Sequence, residues 1–352
     1  MSPLLYKIAK KCLFQLNPET AHTITLAGLR MAERLRILGL IAGTPENDPV
    51  ELWGLKFPNR VGLAAGMDKE ADTIDAFGRL GFGFVEVGTL TPRPQPGNPK
   101  PRLFRLIPQE GIINRMGFNN HGIDEGVCNI EKQSTFKGIV GVNIGKNKVT
   151  PNDEANHDYL SCLRAAWPVA DYIAVNFSSP NTPGLRELQK ADSAARLLAV
   201  LKAEQSNLVS DTGKKVPLLM KVAPDMEIDQ IRELSRVFLD GGLDGLIATN
   251  TTLGRGGVER HPRHQEAGGL SGKPLTKRST EIIQAFAAEL GGRIPIIGVG
   301  GIMTGDDAVK KLRAGASLVQ LYTGFIYKGP NLIGDCVRAM REQSPAAKGG
   351  EA

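Results

Sequence analysis

Cysteine is scarce: Cys12, Cys128, Cys162 and Cys336 are the only four in 352 residues, and no two form a C-x-x-C pair. The scatter excludes a disulfide framework or a cysteine metal knot, and predicts packed thiols in a reduced compartment. No run of about 18 apolar residues is present, so nothing is expected to span a bilayer. The N-terminus also lacks a signal peptide's apolar stretch and small-residue cleavage site, which predicts a protein of the cytosol or of the membrane's cytosolic face. A G-x-G-x-x-G fingerprint is missing too, which disfavours a Rossmann-bound nicotinamide.

Charge is unevenly spread rather than lacking. Of a net charge of +6, four units lie in residues 1–39, where Lys7, Lys10, Lys11, Arg30, Arg34 and Arg36 stand against Glu19 and Glu33. The rest is nearly neutral, which argues against a nucleic-acid-binding surface. Residues 4–15 and 18–38 both read as helices. Asn17 is placed to cap the second and Pro18 fits its first position, after which Ala21, Ile24, Gly28, Met31, Leu35 and Leu38 recur on one face. In the first, Leu5, Ile8, Cys12 and Leu13 oppose Lys7, Lys10 and Lys11. Such a pair either packs on the body of the protein or lies flat on an anionic membrane surface, and the pattern alone leaves both open.

Gly 41 and Pro 22 are abundant, as expected of many tight turns around a filled core. Beyond residue 60, short apolar runs alternate with helical patterns: 61–64, 84–87, 139–142, 172–175, 217–220, 245–248, 295–299 and 318–321. Eight such repeats predict a (β/α)8 TIM barrel with an N-terminal amphipathic helical extension. The expected division is a helix pair at 1–40, a linker at 41–50, the barrel at 51–343 and a frayed tail at 344–352. Leu52–Phe57 (LWGLKF) reads as a strand capping the barrel's bottom.

Active sites of such barrels lie at the C-terminal strand ends. Those ends carry Asp68 and Lys69, Gly88 and Thr89, Asn143, then Asn176 with Ser179 and Asn181. Lys221 follows, then Thr249 to Thr251, Gly300 and Gly301, and Tyr322 with Thr323. Amides, hydroxyls, glycines and two lysines dominate, with one aspartate. That inventory excludes a metal site and paired-carboxylate hydrolysis. It suits a planar, polar, partly anionic ligand, and the glycine-rich turns at 268–272 and 300–301 suggest a phosphate. His261 and His264, three residues apart in a very polar loop, are not expected to form a metal site.

Four segments carry a family likeness: Ala64–Lys69 (AAGMDK), Asn114–Asn120 (NRMGFNN), Asn176–Gly184 (NFSSPNTPG) and Gly298–Ile302 (GVGGI). In order, and over nearly the whole chain, they resemble those of the dihydroorotate dehydrogenases. The helix pair and Ser179 resemble the membrane-associated, quinone-reducing class 2; the soluble class carries cysteine at that position and lacks the extension. The resemblance implies oxidation of dihydroorotate to orotate in pyrimidine biosynthesis, with flavin mononucleotide (FMN) as hydride acceptor. Its phosphate is expected on Gly300, Gly301, Tyr322 and Thr323, with Lys221 at the flavin edge that gains negative charge. Thr89, Asn143, Asn176, Thr249, Gly272 and the backbone of Ala65, Gly66, Met67, Asp68 and Lys69 are expected to complete the cradle.

The same resemblance assigns the substrate to Lys69, for its carboxylate, and to Asn114, Asn176, Asn181, Asn250 and Thr251, for its ring. Arg115, Met116, Gly117 and Phe118 line that side, and Ser179 is expected as the base. His22 and Arg105 are implied as contacts for ubiquinone or menaquinone, which reoxidises the flavin at the cytoplasmic face of the inner membrane. The rival readings are a class 1 style dehydrogenase using fumarate or a nicotinamide, which Ser179 and the helices disfavour, a flavin-free phosphate-binding barrel isomerase or lyase, and a membrane-surface binding module.

Overall fold

The computed structural model describes residues 3–39, 46–133 and 135–343. The expected tail at 344–352 and the first half of the expected linker, 41–45, lie outside them. Eight parallel strands close into a barrel: β3 Val61–Leu63, β4 Phe84–Leu90, β7 Ile139–Ile144, β8 Tyr172–Asn176, β9 Leu218–Val222, β10 Gly245–Ala248, β12 Ile296–Val299 and β13 Leu318–Leu321. Each apolar run predicted as a barrel strand is one, to within three residues at either end. These strands are buried almost throughout, as strands covered on both faces must be.

Two features depart from expectation. Leu52–Phe57 is not one strand but the turn and second arm of a hairpin, β1 Val50–Leu52 and β2 Leu55–Phe57, paired antiparallel. Trp53 and Gly54 both take positive φ, +56° and +76°, as a two-residue hairpin turn demands. The hairpin closes the barrel's bottom: Trp53 Nε1 donates to the Asp244 carbonyl at 2.6 Å and its ring packs against Phe57 and Tyr172. An antiparallel sheet was also unforeseen, formed by β5 Leu103–Leu106, β6 Gly111–Asn114 and β11 Gly269–Gly272. It stands over the mouth and delivers Asn114 and Gly272 from its ends.

The N-terminal helices α1 Pro3–Leu13 and α2 Pro18–Arg34 are shorter than the pattern suggests. Asn17 caps α2 as expected, its Oδ1 accepting the Glu19 N–H at 3.0 Å. Leu26, Leu29 and Ala32 pack the pair on the core, and polar links add to the hold. Tyr6 Oη donates to the Ile326 carbonyl at 2.6 Å, and Lys10 Nζ to that of Tyr327 at 2.9 Å. Lys10 therefore turns inward, away from the exposed Lys7 and Lys11. Arg30 pairs with Asp72, Glu33 with Arg79, and Glu19 with Arg102. Among the described residues, six of the ten exposed large apolar side chains lie on this segment (Ile8, Leu16, Ile24, Met31, Leu35 and Ile37), so an apolar face looks outward. Packing on the body thus leaves that face free. Cys162 and Cys336 are buried as expected; Cys12 and Cys128 are exposed, contrary to the expectation of packed thiols.

Candidate active site

The strand ends and the antiparallel sheet enclose one cavity. Of the residues read from the sequence, Ala65, Gly66, Lys69, Thr89, Asn114, Met116, Gly117, Phe118, Asn176, Ser179, Asn181, Lys221, Thr249, Asn250, Thr251, Gly272, Gly300, Gly301, Tyr322 and Thr323 line it. Residues spread over 260 positions of chain therefore converge because parallel strands all present their C-terminal ends to one side.

One wall is a network of amides and hydroxyls. Asn176, at the end of β8, donates Nδ2 to Thr89 Oγ1 at 3.0 Å and receives Asn250 Nδ2 on its Oδ1 at 3.2 Å. Asn181 Nδ2 donates to Asn114 Oδ1 at 3.1 Å, which ties the loop after β8 to β6. Asn181 Oδ1 is buried with no partner, as is Gln320 Oε1 further along the wall. Both are acceptors aligned for a ligand with ring N–H groups. Thr251 approaches closely because residue 269 is glycine: a Cβ there would stand 1.8 Å from Thr251 Oγ1.

Ser179 is 5% exposed. Its Oγ accepts the backbone N–H of Asn181 at 3.2 Å. That bond leaves the hydroxyl hydrogen unspent and favours negative charge on the oxygen. No carboxylate or imidazole bonds to it among the described residues. Thr182 Oγ1, nearby in the loop, is buried and unpartnered.

The opposite end is built of glycine turns. Gly300 and Gly301 take φ of +113° and +72°, and a Cβ on Gly301 would lie 2.3 Å from Thr276 Cα. Ser279 Oγ donates to the Gly300 carbonyl at 2.8 Å and Thr276 Oγ1 to that of Gly301 at 2.6 Å. Behind them lies Lys311, on a helix, where no sequence signal marks it. It is wholly buried and its ammonium bonds to Ser279 and Thr280 hydroxyls. Burial lowers its pKa to about 7. Thr323 Oγ1 meets Ser271 Oγ at 2.8 Å, and Tyr322 Oη donates to the Gly66 carbonyl at 3.3 Å. Burial pushes the Tyr322 phenol up to about 12, so it remains a donor.

Two cations face the cavity. Lys221 is 5% exposed and contacts the Glu86 carboxylate at 3.3 Å. Lys69 makes no hydrogen bond to protein among the described residues. Burial lowers its pKa to about 8, opposed by Glu70 and Glu19.

Some predicted residues stand elsewhere. Asp68 is fully buried, and its carboxylate accepts the N–H groups of Asp72 and Thr73 at 3.1 and 3.0 Å, so its side chain braces the loop. Burial raises its pKa to about 7 despite those bonds. Met67 packs into the barrel's outer core. Asn143 lies one layer below the wall, bonded to Glu86, Thr89 and Asn176. Arg115 turns away to Glu266 at 2.8 Å and stacks on Phe104.

Arg105 and His22 lie outside this cavity. Arg105 donates to the Leu16 carbonyl at 2.9 Å and to that of Phe14 at 3.3 Å, and lies 4.5 Å from the Phe14 ring. It caps the end of α1. His22 is half-buried on α2, and burial, with Lys69 and Arg30 nearby, lowers its pKa to about 3, so its imidazole is neutral at ordinary pH.

The dihydroorotate dehydrogenase family profile matches residues 49–343. A dihydroorotate dehydrogenase (quinone) of Akkermansia muciniphila is 72% identical over 345 residues, which are 98% of this chain and 99% of that one. Its counterpart in Marinobacter nauticus is 53% identical over 339 residues, 96% and 99% of the two chains. A crystal structure of the Eimeria tenella dihydroorotate dehydrogenase in complex with ferulenol matches with a TM-score of 0.84 at 39% identity, over 93% of this chain and 90% of that one. The barrel, the helical extension and the polar cavity thus coincide with near full-length likeness, and the chain belongs to the dihydroorotate dehydrogenase family, in its quinone-dependent class.

Proposed function

We propose that this chain oxidises dihydroorotate to orotate in pyrimidine biosynthesis, using FMN and a membrane quinone at the cytoplasmic face of the inner membrane. The observation that carries the reading is that Lys69, Ser179 and four asparagines share one cavity with the glycine turns and Lys221.

The cavity fits the flavin on its own chemistry. Positive-φ glycines at 272, 300 and 301 keep the backbone bare where a phosphate must approach. Thr276 and Ser279 engage the carbonyls of Gly301 and Gly300, which leaves the N–H groups of that turn as its free polar face. Lys221 offers a cation, and Gln320 Oε1 an unused acceptor. FMN, when bound, supplies the acceptor for the hydride leaving C6 of the substrate.

The chain's residues do the rest. Lys69, without a hydrogen-bond partner among the described residues, answers the substrate carboxylate. Asn114, Asn176, Asn181 and Asn250 can each donate and accept, which matches a ring of alternating N–H and carbonyl groups. Ser179 removes the C5 proton. A serine hydroxyl is a weak base, and two features help it: the Asn181 N–H stabilises the developing oxyanion, and its near-complete burial excludes competing water. A charge-assisted bond of this kind contributes about 1.5–3 kcal/mol. Thr182, with its unspent hydroxyl, is a partner for passing the proton outward.

The outward apolar face of α1 and α2 supports docking on a membrane, where the exposed Lys7, Lys11, Arg34 and Arg36 meet anionic headgroups. His22 and Arg105 remain the polar groups proposed for the quinone. Arg105 would have to share its guanidinium with the α1 carbonyls it already holds.

Anaerobic addition of dihydroorotate to the purified yellow protein tests the reading. Absorbance near ~450 nm, the expected band of an oxidised flavin, should bleach and return on adding a short-chain quinone. A flavin that stays oxidised refutes it.

A further inference from the structure

Glu86 is a carboxylate in the interior of the barrel, on β4, with no exposed surface and no contact with the cavity. Four groups converge on it. Asn143 Nδ2 reaches Oε1 at 2.8 Å and Lys221 Nζ reaches the same oxygen at 3.3 Å. Gln320 Nε2 reaches Oε2 at 2.7 Å and Tyr172 Oη at 3.0 Å. Every one is a donor, and burial holds the Tyr172 phenol protonated. A carboxylate only accepts, so each partner must turn a hydrogen towards it.

That constraint propagates. Asn143, having turned its Nδ2 inward, presents Oδ1 to Thr89 Oγ1 at 2.5 Å and to Asn176 Nδ2 at 3.3 Å. Thr89 has then spent its hydrogen, and accepts Asn176 Nδ2 at 3.0 Å. Asn176 is left with Oδ1 facing Asn250 Nδ2 at 3.2 Å, and Asn250 Oδ1 takes the Thr251 N–H at 2.8 Å. An amide can be reversed end for end at little cost where nothing specifies it. Here Glu86 sets the series from one end, and the Thr251 N–H, also able only to donate, agrees with it at the other.

We propose that Glu86 is a positioning residue of this site: it fixes which polar edge Asn176 and Asn250 show the ligand, and it partly neutralises Lys221. The inference rests on the flavin-dependent reading above. With a bare lysine the anionic reduced flavin would be held more firmly, favouring reduction by dihydroorotate and slowing electron transfer to quinone. The ion pair moderates that bias, as an enzyme that must both take and release electrons requires.

The test is Glu86→Gln, equal in shape, which loses the charge and must turn an NH2 towards groups that are themselves donors. Flavin midpoint potential and orotate affinity, from spectral titration of the flavin, are measured on the flavin-loaded protein. The flavin equilibrium should move about tenfold towards the reduced form, roughly 30 mV for a two-electron couple, and orotate should bind at least tenfold more weakly. Asn143→Ala separates the two effects by cutting the wall from Glu86 while keeping the ion pair. It should weaken orotate binding tenfold and shift the flavin equilibrium less than twofold.

If either quantity is unmoved in Glu86→Gln, or the potential falls, the proposal is overturned. Should Glu86→Gln fail to fold, Asn143→Ala decides alone, and unchanged orotate affinity overturns the proposal. The functional reading fails separately, if dihydroorotate does not bleach the unmodified protein.

Discussion

Lys69 offers the sharpest quantitative test, because its proposed task and its effect on stability have opposite signs. Its ammonium lines the cavity without a hydrogen-bond partner among the described residues, and burial lowers its pKa to about 8. A free lysine titrates near ~10.4. In the free enzyme the cation that binds the substrate carboxylate is therefore lost as pH rises through 8. kcat/KM for dihydroorotate should be nearly flat below about pH 7.5, fall about tenfold per unit well above 8, and by pH 9.5 be down roughly thirtyfold, following the protonated fraction.

Stability runs the other way. A lysine whose folded pKa lies below its unfolded value costs stability in full below pH 8, and the cost lifts as pH climbs from about 8 towards the unfolded value. At about 1.4 kcal/mol for each tenfold change in proton affinity, the cost at pH 7 is roughly 3 kcal/mol. Lys69→Met should remove it, raising Tm by roughly 5 °C in the absence of substrate. The same variant should lose dihydroorotate affinity at least a hundredfold and lose the alkaline limb of its pH profile. Calorimetry and a kcat/KM profile on both proteins are sufficient. A profile flat to pH 9.5 in the unmodified enzyme, or a Lys69→Met protein that melts earlier, refutes the reasoning.

Other outcomes follow from the same geometry. Ser179→Ala should keep its flavin and lose about 10²–10⁴ in the rate of flavin reduction, the usual range for removal of a general base; stopped-flow rates near normal would remove Ser179 from that role. Ser179→Cys should retain part of the rate, since a thiolate forms more readily. Gly301→Ala places a methyl 2.3 Å from Thr276 Cα at a positive φ, so the turn must deform and the purified protein should be depleted of flavin; full occupancy would relocate the phosphate. Replacing the exposed Ile24, Met31 and Leu35 together by Glu should leave Tm within 2 °C and flavin reduction intact. It should abolish sedimentation with anionic vesicles, and persistent binding would place the membrane contact elsewhere.

The barrel was legible because its strands are short apolar runs bounded by turn residues, a pattern that parallel strands covered on both sides cannot avoid. The rim was legible for a related reason: each run ends where small or polar residues begin, and their types could be read directly. What lay between was not. β5, β6 and β11 carry no long periodic signal, so the sheet that delivers Asn114 and Gly272 was invisible although both residues were named. Glu86 was hidden inside Phe84–Leu90, a strand whose other residues read as ordinary core or, at Gly88 and Thr89, as rim. Its signal was present: a lone carboxylate in a buried strand must meet donors, since burying it unpaired would cost several kcal/mol. Those donors, Asn143, Tyr172, Lys221 and Gln320, lie on four other strands. Strand ends thus disclose which groups face a ligand, whereas their orientation is decided one layer below, by charges whose partners only the closed barrel brings together.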